Sequence, residues 1–235
     1  GPRACLAWVA DDGRLTLHIS SQMPSGVQGT LCACLRISAD DVRVTLGDVG
    51  GGFGMKTGAY PEDVLVAYAA RLLQRPVKWA ADRSEDFLSA TAGRDVEQQA
   101  EMALAADGKI LALRVRSHAN VGDYATGAGV AIQILMGPLV QTGGYDIKNI
   151  DFHFKTVLTH TAPTGAYRGA GRPEAIYLME RLMDEAARQT GIGRVALRRR
   201  NLITPAQMPY TSAMAQTYDG GKFELTDVAV GFAYE

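Results

Sequence analysis

The chain has few side chains that bind metals. It contains three cysteines and four histidines, and none of them shows the spacing of HxxxH, HExxH or paired CxxC ligand motifs. The CxC pair Cys32 and Cys34 is a weak signal on its own. These absences argue against a metal held by protein side chains. An odd set of thiols without a ligand pattern favours free cysteines in a reducing compartment, so the sequence predicts a cytoplasmic protein.

Two further absences narrow the classes of function. The 24 basic and 25 acidic residues give a formal net charge of −1, so no basic excess is available to attract nucleic acid. No apolar run reaches the roughly 18 residues that a membrane-spanning helix needs. The sequence therefore predicts neither a nucleic-acid-binding protein nor a membrane span.

The two ends of the sequence indicate a region excised from a longer protein. The chain does not begin with Met, and its last segment, ELTDVAVGFAYE, starts like a helix near Thr226 or Asp227. No Gly, Pro or basic last turn closes that helix. We therefore expect residues 1–235 to form one excised region, with Leu88–Arg94 as the place where two lobes could divide.

Hydrophobic patterning predicts a mixed α+β fold with packed helices. Turn signals at Asp11–Gly13 and Ala106–Gly108 separate apolar segments and indicate two hairpins. Pro begins two amphipathic helices, one at Pro61 and one over Pro173–Gln189. The remaining predictions are strands Cys5–Ala10, Arg14–Ser20, Val42–Leu46, Val77–Ala81, Val96–Ala105, Ile110–His118 and Ile150–Thr159, a helix Gly26–Leu35, and either a helix or a buried run over Ala128–Met136.

Periodicity also predicts which faces of the two amphipathic helices are apolar. The face of the helix at Pro61 is formed by Val64, Leu65, Tyr68, Ala69, Leu72 and Leu73. The stripe of the later helix is formed by Ala175, Ile176, Met179, Leu182, Met183 and Ala186.

The segment GDVGGGFGMK, residues 47–56, follows a predicted strand. Glycines reach positive φ and let a ligand approach the backbone amides, so the segment could form a nest of N–H groups around an anion or an oxo group. A P-loop needs Gly immediately before its Lys, and GxGxxG needs a third Gly; Met55 occupies both positions, so both motifs fail. Phe53 could contact a planar ligand, or it could fill the core of a structural turn.

A second glycine-rich segment, TGAYRGAGRPEA, spans Thr164–Ala175 and precedes the longest predicted helix. Arg168 and Arg172 stand among small residues, and a guanidinium offers a planar fork of donors for a carboxylate, a phosphate or an oxyanion. Arg172 could instead pair with Glu174 or Glu180. Arg168, deep inside the segment, is the stronger candidate for a functional role.

Together the two segments resemble the molybdenum-binding large subunit of the xanthine dehydrogenase, aldehyde oxidase and carbon monoxide dehydrogenase family. GGGFGMK and AYRGAGRPEA stand roughly 110 residues apart with the expected elements between them. Further similarity lies at Pro2–Ala4, in the run ALRRRNL at Ala196–Leu202, and at Pro209–Thr211. The resemblance covers essentially the whole chain and implies the fold of the first molybdopterin-binding domain of such a subunit.

The resemblance implies a cofactor and a set of site residues. The cofactor is molybdopterin, in bacteria often as its cytosine dinucleotide, and its molybdenum is held through the pterin dithiolene rather than by protein side chains. Phe53 and Arg168 are the implied catalytic residues, with Phe53 beside the substrate and Arg168 orienting it or stabilising negative charge. The implied cofactor-binding residues are Gly51, Gly52, Phe53, Gly54, Arg168 and Gly169.

Two departures from the family pattern bear on the substrate. Thr57 stands where xanthine-specific members have a Glu, which argues against purine hydroxylation. Gly169 stands where authentic carbon monoxide dehydrogenases have a copper-binding Cys, which argues against CO oxidation. The resemblance then implies oxidation of a small aldehyde or N-heterocycle with water as the oxygen source.

The resemblance also implies that this region does not work alone. The family's catalytic Glu and much of its pterin site lie in a later domain, so the isolated chain is expected to be inactive and to lack the cofactor. The implied partners are the second molybdopterin-binding domain of the same polypeptide, iron–sulfur and FAD subunits or domains, and a small-molecule substrate. A non-catalytic binding or assembly domain that keeps the fold is the alternative, and a phosphate-binding enzyme is weakened by the two failed motifs.

Overall fold

The computed structural model describes residues 2–214, which form two compact units. The first unit consists of residues 2–92 together with Ala166–Arg168, and the second of residues 93–165 together with residues 169–214. The helix predicted near Thr226 lies outside the described residues. Each unit combines one mixed sheet with helices, so the predicted α+β class is confirmed. None of the helices described is long and apolar enough to cross a membrane.

The first unit is built on a four-stranded sheet. Its strands are β1 (Ala4–Val9), β2 (Leu15–Ile19), β3 (Val42–Thr45) and β4 (Val77–Ala80), in the order β3-β2-β1-β4. β1 pairs antiparallel with β2 and β4, whereas β2 pairs parallel with β3. The four predicted strands and the first hairpin are therefore confirmed. Because β2 and β3 are parallel, the segments that follow them leave the same end of the sheet.

Three helices belong to this unit: α1 (Pro24–Leu35), α2 (Pro61–Leu73) and α3 (Arg83–Ser89). Val27 and Leu31 of α1 are fully buried in one cluster with Leu17 of β2. The predicted helices at Gly26 and Pro61 are confirmed, and α1 begins two residues earlier, at Pro24. Helix α3 was not predicted, because seven residues are too few for a periodic pattern.

The apolar face predicted for α2 is not the face that packs on the sheet. Leu65 and Leu72 are 63% and 66% exposed, while Val66, Ala67 and Ala70 on the other side are buried. The small alanines let the helix lie close to the strands, which the larger leucines would prevent. The prediction of which face of α2 packs on the sheet is therefore wrong, because the large apolar residues of this helix are exposed.

All three cysteines are free in the structure, as expected from their pattern. Burial, helped by the nearby Asp63 carboxylate, raises the pKa of the Cys5 thiol to about 12. Cys5 is therefore a neutral core thiol at neutral pH.

The second unit packs a three-stranded sheet against two helices. β5 (Val96–Leu104) pairs antiparallel with β6 (Ile110–Gly122), and β6 pairs parallel with β7 (Ile150–Leu158). The predicted strands are confirmed, and β6 continues past His118 to Gly122. Two short helices, α4 (Gly127–Ala131) and α5 (Gly137–Leu139), lie between β6 and β7, and the two helices against the sheet are α6 (Arg172–Thr190) and α7 (Arg194–Asn201).

The connection between β6 and β7 contains the segment that the sequence left open, and it is helical. α4 (Gly127–Ala131), a π-helical turn (Ile132–Met136) and α5 (Gly137–Leu139) follow one another. Gly129 permits a close approach here, because a Cβ at this position would lie 2.3 Å from the Thr164 carbonyl oxygen.

The core of the second unit confirms the helix predicted over Pro173–Gln189. Met179 and Met183 of α6 are buried in one cluster with Leu113 and Val115 of β6 and Leu197 of α7. Gly191 ends α6 with φ 73°. The helix α7 contains the run ALRRRN. That run was not predicted to be helical, because its few apolar residues give no clear period.

Candidate active site

The glycine-rich loop leaves β3 and turns tightly before α2. Its φ angles are positive at Gly51 (103°), Phe53 (51°) and Gly54 (97°). The turns are closed by the N–H of Met55 donating to the Gly52 carbonyl (3.0 Å) and by the Thr57 hydroxyl donating to the Gly54 carbonyl (2.8 Å). Gly51 and Gly54 thus occupy backbone conformations in which a side chain would be strained. Phe53 adopts the left-handed conformation although it has a Cβ, which is uncommon for residues other than glycine.

Gln22 holds this loop in place. Its side-chain Oε1 accepts a hydrogen bond from the Gly54 N–H (2.9 Å), and its own N–H donates to the Lys56 carbonyl (2.8 Å). A Cβ at Gly52 would lie 2.3 Å from the same Oε1. Gly52 is therefore required for the close approach of Gln22.

Sequence reasoning missed Gln22 because it lies 30 or so residues before the loop and in no motif. The signal that could have found it is topological. Gln22 follows β2 and the loop follows β3, so a parallel β2–β3 pair brings the two segments to one sheet end. That pairing is not visible in local hydrophobic patterns.

The side chain of Lys56 is buried beneath the loop and does not reach solvent. Its side chain is 4% exposed, and its Nζ donates to the Ser20 hydroxyl (2.7 Å). Burial lowers the pKa of Lys56, while the Asp86 carboxylate acts in the opposite direction. Lys56 therefore does not serve as the exposed phosphate-binding lysine of a P-loop, in agreement with the failed motif.

Phe53 and Arg168 come together above the loop. The Arg168 guanidinium lies over the Phe53 ring, with its Cζ 4.2 Å from the ring centroid, and the Arg168 N–H donates to the Phe53 carbonyl (3.1 Å). Phe53 is 51% exposed, so the alternative that placed it in the core is wrong. The Phe53 ring and the Arg168 guanidinium stacked on it therefore offer a ligand a flat apolar surface next to a positive charge.

The segment Ala166–Arg168 lies directly against the loop. A Cβ at Gly54 would be 2.6 Å from the Ala166 carbonyl oxygen and 3.0 Å from the Tyr167 nitrogen. The absence of a side chain at Gly54 therefore lets two backbone segments touch. Of the six predicted cofactor-binding residues, five lie in the first unit: Gly51, Gly52, Phe53, Gly54 and Arg168.

Gly169, the sixth, follows Arg168 in the chain and belongs to the second unit. Its φ is 91°, and a Cβ there would lie 2.7 Å from both Cδ and Cγ of Pro173. Any side chain at Gly169 would thus meet strain and a steric clash together.

The alternative partners proposed for Arg172 are wrong. Arg172 donates from Nη1 to the Gly169 carbonyl (3.2 Å). Glu174 pairs with Arg94 (3.1 Å), and Glu180 pairs with Arg198 (2.7 Å), so another arginine occupies each carboxylate. Arg172 therefore contributes to the turn before α6 rather than to an ion pair.

The loop offers donors to a ligand. Among residues 2–214, no protein acceptor receives the N–H groups of Gly51, Gly52 and Phe53. Successive amides of this kind, next to a guanidinium, are suitable donors for an anion or an oxo group. The described residues contain no group of three or more His, Cys, Asp or Glu side chains that could hold a metal ion. The donor set therefore fits an oxygen-rich cofactor held by hydrogen bonds.

Comparisons with known proteins point to one family. Residues 1–202 match the family model described as "Molybdopterin cofactor-binding domain". The chain is 37% identical over 214 residues to the carbon monoxide dehydrogenase large chain of Hydrogenophaga pseudoflava, an alignment that covers 90% of this chain and 26% of that one. It is 32% identical over 228 residues to the nicotine 6-hydroxylase large subunit of Paenarthrobacter nicotinovorans, covering 94% and 27%.

A solved structure agrees with these relatives. The quinoline 2-oxidoreductase of Pseudomonas putida 86 superposes with a TM-score of 0.85 at 34% identity, covering 91% of this chain and 27% of that one. The chain thus spans about a quarter of the length of the proteins it matches.

Proposed function

Because the chain belongs to the molybdopterin cofactor-binding domains of molybdenum hydroxylase large subunits, we propose that it supplies part of the active site of a molybdenum-dependent oxidoreductase. The observation that carries this proposal is the exposed pair Phe53 and Arg168 beside loop amides that have no acceptor among residues 2–214. When bound, molybdopterin, as such or in its cytosine dinucleotide form, supplies a molybdenum centre that accepts two electrons from a substrate. Gly51, Gly52, Phe53, Gly54, Arg168 and Gly169 are the residues proposed to hold it.

The loop amides, Phe53 and Arg168 each have a separate role in binding and catalysis. The amides of the loop bind and orient the oxygen-rich end of the cofactor. The Phe53 ring offers a flat apolar surface to a planar substrate. Arg168, held in place over that ring, stabilises negative charge that develops on the substrate oxygen.

The substrate class follows from three features of the chain and its relatives. The hydroxyl of Thr57 donates a hydrogen bond to the Gly54 carbonyl within the loop. No carboxylate stands at this position to bind a purine. Gly169 provides no thiolate for copper. The relatives include proteins named for nicotine and quinoline, so we propose an N-heterocycle or an aldehyde as substrate and water as the oxygen source.

The partners and the compartment are part of the same proposal. The relatives are named a large chain and a large subunit, which supports assembly with iron–sulfur and FAD subunits or domains. A second molybdopterin-binding domain of the same polypeptide would complete the cofactor site. Three free cysteines support a cytoplasmic location.

The test uses the full-length polypeptide with its partners. We expect it to contain molybdenum and to reduce a dye when given an aldehyde or an N-heterocycle, with ¹⁸O from labelled water appearing in the product. Carbon monoxide and xanthine serve as controls that should give no reduction. A molybdenum-loaded protein inert towards both substrate classes would favour the non-catalytic alternative.

The 235-residue chain purified alone is expected to carry no molybdenum. It provides three loop amides and the Arg168 guanidinium as donors, and binding sites normally bury most of a ligand's surface, which this small set of groups would not do. Metal analysis of the purified chain checks this, with the full-length protein as the positive control. Near-equimolar molybdenum in the isolated chain would show that the cofactor site is self-contained.

Gly169→Cys is expected not to create CO oxidation in the full-length enzyme. A thiol supplies one copper ligand, but its Cβ would lie 2.7 Å from the Pro173 ring at φ 91°, so the segment must shift. CO-dependent dye reduction after copper loading is the measurement. Gly169→Ala separates strain from thiol chemistry, and CO oxidation by the Cys variant above that of the Ala variant would contradict the expectation.

A further inference from the structure

Among residues 2–214, β7 is an edge strand whose outer side is unpaired. It pairs with β6 along Ile150–Leu158 and with no other strand of the described chain. The Leu113 N–H donates to the Asn149 carbonyl (3.0 Å), and the Thr159 N–H donates to the Gly122 carbonyl (2.9 Å). The odd-numbered residues flanking and within β7 therefore turn their backbone groups towards β6.

Alternate residues of a parallel strand turn both their N–H and C=O groups to the same neighbour. The even-numbered residues of β7 must then direct theirs away from β6. No described residue accepts from or donates to those outward groups. The residues concerned are Ile150, Phe152, Phe154, Thr156 and Leu158.

The half of β7 from Phe154 to Leu158 exposes apolar side chains on both faces of the sheet. Phe152 packs on the core of the second unit, and Phe154, two residues on, shares that face. Beyond this core Phe154 is 42% exposed and Leu158 63% exposed, while Val157 on the opposite face is 43% exposed. Lys155 is the single charged residue between Phe154 and Leu158.

Edges that stay in solvent are usually short, bulged, or guarded by charges or Pro. β7 has nine residues, and its register against β6 shifts only near the far end, where β6 carries the extra residue Val121. The half of this edge from Phe154 to Leu158 carries one charged residue and apolar side chains on either face. Such an edge is suited to strand addition, in which main-chain bonds give affinity and alternate side chains give specificity.

We propose that a β-strand from the remainder of the longer polypeptide pairs with the free edge of β7 and covers Phe154 and Leu158. The relatives are long enough to supply it, because the chain spans only 26% and 27% of their length. This proposal rests on the chain being part of a large subunit, as proposed above, and is independent of cofactor binding. A second copy of the chain is the competing occupant.

The experiment is hydrogen–deuterium exchange on the full-length protein, resolved to single amides in β7. We expect the N–H groups of Phe154, Thr156 and Leu158 to exchange as slowly as those of Lys155 and Val157, which face β6. Exchange at least about tenfold faster at the even-numbered positions would mean an open edge and would overturn the proposal. Slow exchange that disappears on dilution would assign the edge to a second copy and would overturn it as well.

A matched pair of substitutions gives a second readout. Leu158→Lys in the full-length protein should lower the unfolding temperature by several degrees and speed exchange along β7, because a covered leucine is replaced by a charge. Val195→Lys on α7 is the control, since Val195 is 61% exposed and Leu158 is 63% exposed. Equally small changes in unfolding temperature and exchange for the two substitutions would contradict the proposal. If Leu158→Lys fails to fold, the exchange pattern of the wild-type protein still tests whether the edge of β7 is covered. Molybdenum content is not a readout, so failure here is separate from failure of the proposed function.

Discussion

Replacing Arg168 by Ala in the full-length, cofactor-loaded enzyme should reduce turnover about a hundredfold to a thousandfold, the usual effect of removing one preorganised donor to a developing oxyanion. The structure gives the reason. The Arg168 guanidinium is stacked on Phe53 and its backbone N–H is bound to the Phe53 carbonyl, so the cation is fixed above the loop before any substrate arrives. Steady-state turnover, corrected for molybdenum content, is the measurement.

Arg172→Ala is the matched control for Arg168→Ala. Arg172 lies four residues further on and donates to the Gly169 carbonyl, so its loss should weaken a turn by under about 1 kcal/mol and leave turnover largely intact. Arg168→Lys should restore little, because an ammonium reproduces neither the planar fork nor the stacking on Phe53. Equal losses in the two alanine variants at equal molybdenum loading would remove Arg168 from the catalytic residues.

The elements with strong local signals were predictable from the sequence. β1 and β2 flank an Asp-Gly turn, and α2 and α6 begin with Pro at the first or second position, so local chemistry marks their boundaries. α2 shows the limit of this approach. The helix itself is predicted correctly, but hydrophobicity does not reveal that Ala67 and Ala70 form the packing face, because packing against a sheet favours close approach as well as apolar area.

The candidate site was predictable in part for the same reason. Gly51 to Gly54 and Arg168 stand in contiguous motifs, and their spacing carried the family resemblance. Gln22 has no such motif. Its role depends on the parallel pairing of β2 with β3, a long-range contact that brings the end of one strand to the loop after another. The exposure of Phe53 likewise depends on its positive φ, which a single residue letter does not encode.

Gly54→Ala in the full-length protein is expected to have the largest structural effect of any single-methyl change in the loop. Gly54 has φ 97°, and the added Cβ would lie 2.6 Å and 2.7 Å from the carbonyl oxygen and carbon of Ala166. These are backbone atoms, so no side chain can rotate away. The left-handed conformation costs an L-residue about 1–2 kcal/mol, and overpacking adds roughly 1–3 kcal/mol.

We expect this strain to be relieved by movement of the loop away from Ala166–Arg168, because the clashing atoms belong to the backbone of that segment and cannot rotate aside. The Arg168 N–H to Phe53 carbonyl bond would then break, and the Gly54 N–H would leave Gln22. Molybdenum content and turnover should both fall at least about tenfold if the strain is expressed as lost cofactor binding. Gly58→Ala is the matched control, since Gly58 is four residues away in the same connection and has no atom within 4 Å of an added Cβ. Wild-type molybdenum content and unfolding temperature in Gly54→Ala would show that the contact with Ala166 is not needed, and the loop would then hold its ligand without the support of the arginine segment.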